Sequence, residues 1–550
     1  MSFTVTLNGK TKSYEKKIQA LDLIDPKDPK KKEFIACKVN NRVRELTYDI
    51  YYDCTVEFLT VADHEAMKIY EASLRYLVAM AFHNCYPNLK IRFAYNVSRC
   101  VSIHLIEPKT VATTAMLIKI DHEIQSLIKK DLPLKRMVVS NADAAKIYAE
   151  RGYTDKLAIL QYRPEKTVHL YECNGFLDYM YSHMVPSTGY LGKYKLRLYT
   201  PGFLLQYPRS ECNGRIPEFE DAPTFGRTLR EAHDWAKVVG VDTVAHVNEE
   251  IEKAGAIEFI NVCEDRISRQ LVELGQLIED DISNVRLICV AGPSSSGKTT
   301  FANRLRIELL SRGIRPIRIS IDDYYKKSCD IPNGEDGKPD FEALDALDID
   351  YFNQNMLDLI NGEPTDLPKF DFQKGGRVVG RRVQLGPEEP IIIEGIHALN
   401  DKLTTAIPPS AKFKIFIAPQ AQINLDDHNP LSLTDLRLLR RLVRDKKFRG
   451  SPAEETFEMW PKVRMGEFKW IYPNQEGSDY VFNSFMPYEL PVMKKYAMPL
   501  LGAIDKESPY YPDAERLLRM LKFFKDMQDE WIPSNSLMRE FIGGSCYADV

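Results

Sequence analysis

A chain of 550 residues is too long for a single hydrophobic core, because domains usually contain about 100–200 residues, and we expect three or four domains. The net charge of -4 gives no overall reason to expect nucleic-acid binding. The ten cysteines stand apart without a CxxC pair, which excludes a zinc ribbon or a disulfide framework and suits a reducing compartment. The polar beginning and the absence of an apolar run near ~20 residues predict a soluble, cytoplasmic protein with no membrane segment.

The first part of the chain is predicted to be β-rich and then mixed. Short apolar runs such as 34–39 alternate with turn residues and predict a small β-rich module over residues 1–62. From 63 to 214, helical patterns such as 65–81 mix with strand patterns such as 168–172. This mixture predicts an α+β domain.

Residues 215–284 are predicted to be a linker followed by a helix. Pro223 and Gly226 lie among acidic residues, which indicates a linker over 215–230. The helix that follows is predicted from apolar residues spaced four, three and four apart, namely Ile267, Leu271, Leu274 and Ile278.

Strands and helices alternate from 285 to 500. Buried-strand runs occur at 287–291 and 391–393, and isoleucines alternate from Ile317 to Ile321 as a further strand. This alternation predicts an α/β domain with a doubly wound parallel sheet and helices on both faces. Residues 501–550 are predicted to be a helical extension, so the fold class is a multidomain protein with this α/β domain in its second half.

A phosphate-binding loop is predicted between the strand at 287–291 and the helix after it. The sequence GPSSSGKTT matches the loop pattern in the setting that the pattern requires. Its glycines let backbone N–H groups point at phosphate oxygens, and the helix adds its positive end. Lys298 would reach the β- and γ-phosphates, and the Thr299 hydroxyl would ligate Mg²⁺. The alternative is a chance glycine-serine turn, which the flanking strand and helix argue against. The expected ATP contacts are Gly292, Ser294, Ser295, Ser296, Gly297, Lys298, Thr299 and Thr300.

Acidic residues follow two other predicted strands. Asp322 and Asp323 end the strand of isoleucines, at the sheet edge where open α/β folds bind ligands. A carboxylate there could accept a hydroxyl proton during phosphoryl transfer, and the alternative is an acidic turn or helix cap. Glu394 closes the strand at 391–393, in the position of an acid that holds Mg²⁺ directly or through water.

Four arginines recur at i, i+3, i+4 and i+7 and therefore share one helical face. They are Arg437, Arg440, Arg441 and Arg444. The alternative is a solvated basic face, but the nearby acids, Asp435 and Asp445, are few. A concentration of arginines suits the stabilisation of charge on a transferred phosphoryl group.

These motifs together resemble the uridine kinase and phosphoribulokinase family over residues 285–500. The resemblance rests on GPSSSGKTT at 292–300, SIDDYY at 320–325, DFEALDALD at 340–348, PKFDF at 368–372, IIIEGIHAL at 391–399 and RLLRRLVRD at 437–445. It implies an ATP- and Mg²⁺-dependent kinase that phosphorylates the 5′-hydroxyl of a nucleoside.

The resemblance also implies roles for individual residues. Asp322 resembles the general base, and with Lys298 of the loop it forms the expected catalytic pair of residues. Arg437 resembles an arginine that contacts the sugar. Gly375 replaces a histidine that contacts the pyrimidine base, and Glu342 replaces an aspartate, so a strict pyrimidine preference is in doubt. Residues that resemble the nucleoside pocket are Tyr325, Phe341, Glu342, Phe370, Phe372 and Ile396. Residues that resemble the lid near the triphosphate are Arg440, Arg441, Arg444 and Arg449.

The first 210 residues resemble the N-terminal region of threonyl-tRNA synthetases. Residues 39–41 and 56–60 resemble the small β-grasp (TGS) module, and 184–191 resembles the editing domain. The metal-binding HxxxH and CxxxH pairs of that domain are replaced by Ala72, Tyr76, Met180 and Met184, which are not usual zinc ligands. We therefore expect no zinc and no editing chemistry, which leaves a scaffold, an RNA contact or a regulatory module.

Two other functions remain open at this point. One is a kinase of another sugar or sugar phosphate, as in phosphoribulokinase. The other is a nucleotide-regulated RNA- or ribosome-associated protein, although no NKxD motif of a GTPase follows the loop. The acceptor and the oligomeric state, including a homo-oligomer, stay undetermined from the sequence.

Overall fold

The computed structural model describes residues 2–106, 110–334, 337–371, 374–421 and 423–548. Phe372, expected in the acceptor pocket, lies outside these residues. None of the helices in the described ranges combines the length and apolar character needed to span a bilayer.

The first module is a small sheet. Its strands are β1 (Phe3–Leu7), β2 (Lys10–Tyr14), β3 (Ile18–Gln19), β4 (Phe34–Val39), β5 (Arg42–Arg44), β6 (Asp49–Ile50) and β7 (Cys54–Thr60). Five of them form one sheet in the order β2-β1-β7-β4-β5. Asn40 and Asn41 make the tight turn between β4 and β5 with φ of 44° and 58°, a conformation that asparagine tolerates. The module therefore has the β-rich character that its sequence predicts.

The next region is α+β. Its elements are α1 (His64–Cys85), β8 (Ile91–Val97), β9 (Cys100–Leu105), α2 (Thr114–Lys130), β10 (Lys135–Ser140), α3 (Asn141–Arg151), α4 (Thr154–Leu160), β11 (Thr167–Cys173), β12 (Phe176–Tyr179), β13 (Lys195–Tyr199) and β14 (Gly202–Gln206). They form two antiparallel sheets with the orders β10-β11-β12 and β13-β14-β9-β8. Most side chains of α1 from Ala66 to Phe82 are buried, because neighbouring elements cover more than one of its faces.

Three helices connect this region to the α/β domain. They are α5 (Pro223–Val239), α6 (Val244–Lys253) and α7 (Gly255–Asp280). Pro223 opens α5, a position where its fixed φ and missing N–H cost nothing, so the predicted linker ends before it and Gly226 lies inside a helix. The predicted apolar stripe from Ile267 to Ile278 is confirmed, because all four residues are buried in α7.

The α/β domain is built on a parallel sheet with the order β16-β19-β15-β20-β23. Its elements are β15 (Leu287–Ala291), α8 (Lys298–Ser311), β16 (Ile317–Ser320), α9 (Ile349–Ile360), β17 (Thr365–Asp371), β18 (Gly376–Val383), β19 (Ile391–Glu394), β20 (Lys412–Ala418), β21 (Asn424–Asp426), β22 (Asn429–Pro430), α10 (Leu433–Arg449), α11 (Ala453–Gly466), β23 (Tyr480–Asn483) and α12 (Glu489–Gly502). Every residue of β15 is buried, as expected for a central parallel strand. The carboxyl ends of β15, β16 and β19 meet at one edge, and the site lies there.

The remaining helices pack back on this domain. They are α13 (Tyr511–Leu521) and α14 (Arg539–Ile542). The hairpin β21–β22, just before α10, is joined to the N-terminal region by buried charges. Lys156 Nζ lies 3.1 Å from carboxylate oxygens of both Asp178 and Asp426, and all three side chains are buried. The N-terminal half is therefore fixed to the segment that leads into α10.

Candidate active site

The phosphate-binding loop, defined as residues Gly292–Thr300, runs from β15 into α8. A Cβ at Gly292 would lie 1.9 Å from the carbonyl oxygen of Ile417, so only glycine fits there. Gly297 has a φ of 91°, which glycine adopts at little cost. The side-chain oxygens of Ser295, Ser296 and Thr300 are buried and make no hydrogen bond within the described residues. Such orphaned hydroxyls are unusual in a folded protein and fit a site that binds phosphate oxygens.

Lys298 is folded over the loop. Its Nζ donates to the carbonyl oxygens of Gly292 at 3.0 Å and Pro293 at 3.1 Å. Burial lowers the pKa of Lys298, and the carboxylates of Glu394, Glu540 and Asp322 oppose that shift. The Lys298 ammonium group is therefore held against the backbone of the loop, with acidic side chains close by.

The acids near Lys298 have raised pKa values. Burial, with a smaller contribution from the charge of Asp322, raises the pKa of Glu394 to about 7. Burial, with a smaller contribution from the charge of Glu467, raises the pKa of Glu342 to about 7. Asp322 is exposed, but the surrounding protein raises its pKa; the charge of Asp323 adds to this shift and that of Lys298 opposes it. Perturbed acids that converge on one lysine are typical of a catalytic site.

The two adjacent aspartates lie in a turn and do not continue the strand. β16 ends at Ser320, and Ile321–Tyr324 form a 3-10 turn, so the predicted strand through Ile321 is one residue too long. Asp323 Oδ1 accepts the backbone N–H of Phe370 at 3.1 Å and so anchors β17. Asp322 influences the pKa of Lys298 and Glu394, so the two aspartates face different surroundings.

An aromatic cluster lies next to these acids. The ring of Tyr325 packs edge-on against Phe341 at 5.3 Å and Phe370 at 5.7 Å between centroids. Its hydroxyl donates to the carbonyl oxygen of Phe341 at 2.9 Å. Ile396 is partly buried against the same hydrophobic core as Tyr325, Phe341 and Phe370, so the described apolar members of the predicted pocket pack in one core. His397 is 1% exposed, with its Nε2 3.0 Å from the carbonyl oxygen of Glu342.

Gly375, which replaces the histidine of the family pattern, is closely packed. Its φ is 63°, and a Cβ there would lie 2.8 Å from Ser328 Oγ. Its carbonyl oxygen also accepts the backbone N–H of Ser328 at 3.0 Å. The replacement of histidine by glycine therefore leaves no open space at Gly375 itself, because Ser328 lies against it.

The arginines of α10 divide into two groups. Arg440 is fully buried, pairs with Glu489 at 2.6 Å and donates to the carbonyl oxygen of Ser295 at 3.2 Å, so it supports the loop from within the protein. Arg437 is also buried and pairs with Glu467. The second group lies nearer the mouth of the loop, and its members all pair with Asp445. They are Arg441, Arg444 and Arg449, which lie 3.2, 2.9 and 3.5 Å from Asp445. Arg441 also donates to Ser294 Oγ at 2.8 Å.

Two acids at the site were not found from the sequence. Glu467 begins a π-helical turn and accepts the backbone N–H of Ser294 at 3.2 Å, while Glu540 accepts that of Thr300 at 3.1 Å. Glu467 and Glu489 also show that the scarcity of acids near the arginines was a feature of the local sequence alone. No short motif marks these residues, because they reach the loop from distant parts of the chain.

The four N-terminal positions that the resemblance matches to metal ligands are filled by packed side chains. Ala72, Tyr76, Met180 and Met184 are each at most 2% exposed. The hydroxyl of Tyr76 donates to the carbonyl oxygen of Phe176 at 2.9 Å. Tyr76 therefore has a structural role in this core.

Two regions of the chain are similar to known proteins. A model of the phosphoribulokinase / uridine kinase family matches residues 287–490. The N-terminal region is similar to threonine–tRNA ligases. One of these, from Carboxydothermus hydrogenoformans, is 26% identical over 191 residues, which are 34% of this chain and 30% of the ligase.

Two relatives of the α/β domain are informative. Uridine-cytidine kinase C of Dictyostelium discoideum is 36% identical over 207 residues, which are 37% of this chain and 40% of that protein. The uridine kinase of Staphylococcus carnosus is 31% identical over 196 residues, which are 36% of this chain and 85% of that enzyme. The loop, the converging acids and these matches agree on a P-loop kinase, and the chain belongs to the phosphoribulokinase and uridine kinase family.

Proposed function

We propose that this protein transfers the γ-phosphoryl group of ATP to the 5′-hydroxyl of a nucleoside. The observation that carries the proposal is the position of Asp322, which lies close to both Lys298 of the loop and Tyr325 of the aromatic cluster. A flat aromatic ring system could pack on the apolar surface of Tyr325, Phe341 and Phe370. The acceptor hydroxyl would then lie between Asp322 and the loop.

In this proposal Asp322 accepts the proton of the acceptor hydroxyl while the oxygen attacks the γ-phosphorus. The bond from phosphorus to the leaving oxygen of ADP breaks at the same time, and Lys298 stabilises the charge that develops there. Arg441, Arg444 and Arg449 add positive charge at the mouth of the loop. Arg437 and Arg440 hold the loop in shape through Glu467 and Glu489.

The residues present fit a magnesium ion. Glu394 is buried beside Asp322, and a cation would favour the ionised form that burial disfavours. Mg²⁺ usually binds one or two carboxylates together with substrate phosphates and water. Thr299 and Glu394 would hold it, and it would neutralise charge on the β- and γ-phosphates.

A screen of acceptors tests the proposal. Purified protein with ATP and Mg²⁺ is offered each common ribo- and deoxyribonucleoside and, separately, ribulose 5-phosphate, while ADP formation is followed. We expect nucleosides to stimulate turnover, including at least one purine nucleoside, because a site that has lost a polar base contact discriminates less. Lys298→Ala serves as the matched inactive control.

Other outcomes of the screen would point elsewhere. Turnover with uridine and cytidine alone would show that the pocket keeps a pyrimidine preference. Stimulation by ribulose 5-phosphate alone would favour a sugar-phosphate kinase. ATP hydrolysis that responds to RNA or ribosomes and to no small acceptor would favour the regulatory alternative, which the similarity to threonine–tRNA ligases keeps open.

A further inference from the structure

The first turn of α8 already holds an anion supplied by the chain. Glu540 Oε2 accepts the backbone N–H of Thr300 at 3.1 Å. The N–H groups of a first helical turn have no partner within the helix, and the positive end of the helix favours a negative charge. Thr300 also follows directly on Lys298 and Thr299 of the phosphate-binding loop. A carboxylate of the protein therefore lies where a nucleotide phosphate is expected.

The first turn of α8 is surrounded by more polar groups than one carboxylate can engage. The hydroxyls of Ser295, Ser296 and Thr300 around it are at most 3% exposed and make no hydrogen bond within the described residues. Glu540 satisfies the backbone N–H of Thr300 but not these side chains. A phosphate, with more oxygens than a carboxylate, could engage both.

The segment that carries Glu540 is firmly attached. We call residues 532–542 the capping segment. Leu537 and Phe541 are fully buried, and the Arg440 guanidinium lies 4.9 Å from the centre of the Phe541 ring. Leu537 also approaches Gly297, whose absent Cβ would lie 3.5 Å from its Cδ2. The capping segment therefore packs on the loop through its apolar side chains.

Polar contacts fix the same segment at its beginning. Ser536 is fully buried and donates to Glu264 of α7. Glu264 also accepts from Tyr488 at 2.6 Å and pairs with Arg304 of α8 at 3.3 Å. Glu540 itself is only half-buried. Its side chain can thus rotate away while the backbone of the capping segment stays in place.

The charges at the site make coexistence with a nucleotide unfavourable. Glu540 adds negative charge to a site that already contains Asp322 and Glu394, and it contributes to the raised pKa of Glu394. A nucleotide would bring several more negative charges to the same helix end. Repulsion between like charges in a largely buried site favours one anion at a time.

We propose that Glu540 is an autoinhibitory group that competes with a nucleotide phosphate for the backbone N–H of Thr300. Nucleotide binding then requires the Glu540 side chain to leave the helix end. The capping segment sets the nucleotide affinity in this way, and any change that moves the segment changes that affinity. The inference rests on the proposed function only in requiring that the phosphate-binding loop binds a nucleotide.

The test is the affinity of the full chain for ADP, measured by calorimetry with Mg²⁺. Glu540→Gln keeps the size of the side chain and removes its charge, and Glu540→Ala removes the competitor altogether. We expect both variants to bind ADP about three- to tenfold more tightly than the natural protein, since one charge at a helix end is displaced. The gain should shrink as salt is raised. Glu530→Gln, an exposed acid close by in the sequence, is the matched control and should bind as the natural protein does.

Each result decides between the two ideas. If the natural protein binds ADP and both variants bind it equally well or more weakly, the competition is refuted and the kinase proposal stands. If both variants bind ADP more tightly but no nucleoside is phosphorylated, the competition stands and the proposed acceptor is refuted. If neither the natural protein nor any variant binds ADP or ATP, both ideas are refuted. Circular dichroism of each variant confirms that it is folded.

Discussion

Glu467 accepts one hydrogen bond from each terminal nitrogen of Arg437, both at 2.7 Å, and the two side chains are almost fully buried. The same carboxylate accepts the backbone N–H of Ser294 and pairs with Arg464. The helix α10 is thereby tied to the phosphate-binding loop through an acid that lies beyond α11. Through Glu467, Arg437 of α10 is thus linked to the backbone of the loop at Ser294.

Glu467→Gln should destabilise the protein by about 3–5 kcal/mol, because removing one partner of a buried ion pair leaves charge without compensation. Urea denaturation measures the change. The control is Glu458→Gln, an exposed glutamate of α11, for which a change within about 0.5 kcal/mol is expected. Equal effects of the two substitutions would show that the pair contributes little.

Lys298→Ala should abolish most activity while the protein remains folded. The preorganised cation beside the transferred group would be lost, and such a loss lowers kcat on the order of 10²–10³. Steady-state kinetics and thermal unfolding check the two parts of this prediction. Lys506→Ala, at an exposed lysine, should match the natural protein. Near-normal turnover of Lys298→Ala would contradict the assignment of residues 292–300 as a phosphate-binding loop.

Asp322→Asn should lower kcat by about 10²–10⁴, the usual contribution of a general base, with ATP affinity little changed. Asparagine keeps the size of the side chain but cannot take up the proton. The neighbouring Asp323→Asn is the matched control and should be milder in kcat, because Asp323 anchors β17 through the N–H of Phe370. The reverse order of the two variants would refute Asp322 as the base and leave the kinase assignment intact.

The stability of the metal-free protein should depend on Glu394. Its pKa is raised from 4.5 to about 7, so folding favours the protonated form. This contribution is present in full below the unfolded pKa and is lost as the pH rises through about 7. Relative to Glu394→Gln, the natural protein should lose up to about 1.4 kcal/mol of unfolding free energy per pH unit in that window.

Urea denaturation at about pH 5 and pH 8 without Mg²⁺ measures this difference. Glu388→Gln, at an exposed glutamate, should follow the natural protein at both pH values. If the unfolding free energy of Glu394→Gln also changes as that of the natural protein does between these pH values, the Glu394 carboxylate does not titrate in this pH range.

The N-terminal region should hold no stoichiometric zinc, because Ala72, Tyr76, Met180 and Met184 form packed core where ligands would be needed. Elemental analysis of the purified chain checks this. One tightly held zinc per chain, located between residues 63 and 210, would contradict it. His64→Ala would then show whether the metal lies instead where His64 approaches Glu65 and Asp513.

The sequence by itself determined the parts of the molecule whose structure depends on neighbouring residues. Buried strands read as apolar runs, glycine at 292 and 297 is required by the backbone, and the stripe of α7 follows helical spacing. These features depend on backbone geometry and side-chain periodicity, which a few consecutive residues specify. The phosphate-binding loop could be predicted for the same reason, and the kinase family from the resemblance of six short motifs.

The tertiary structure alone decided which charges meet. Glu467, Glu489 and Glu540 reach the loop and the arginines from segments far along the chain, and Ser328 lies against Gly375 across a loop. Local sequence cannot reveal such pairs, because ion pairing and steric contact depend on distance in space and no residue pattern encodes that distance. The separate surroundings of Asp322 and Asp323 likewise follow from the 3-10 turn that ends β16, and an extended strand would have been predicted.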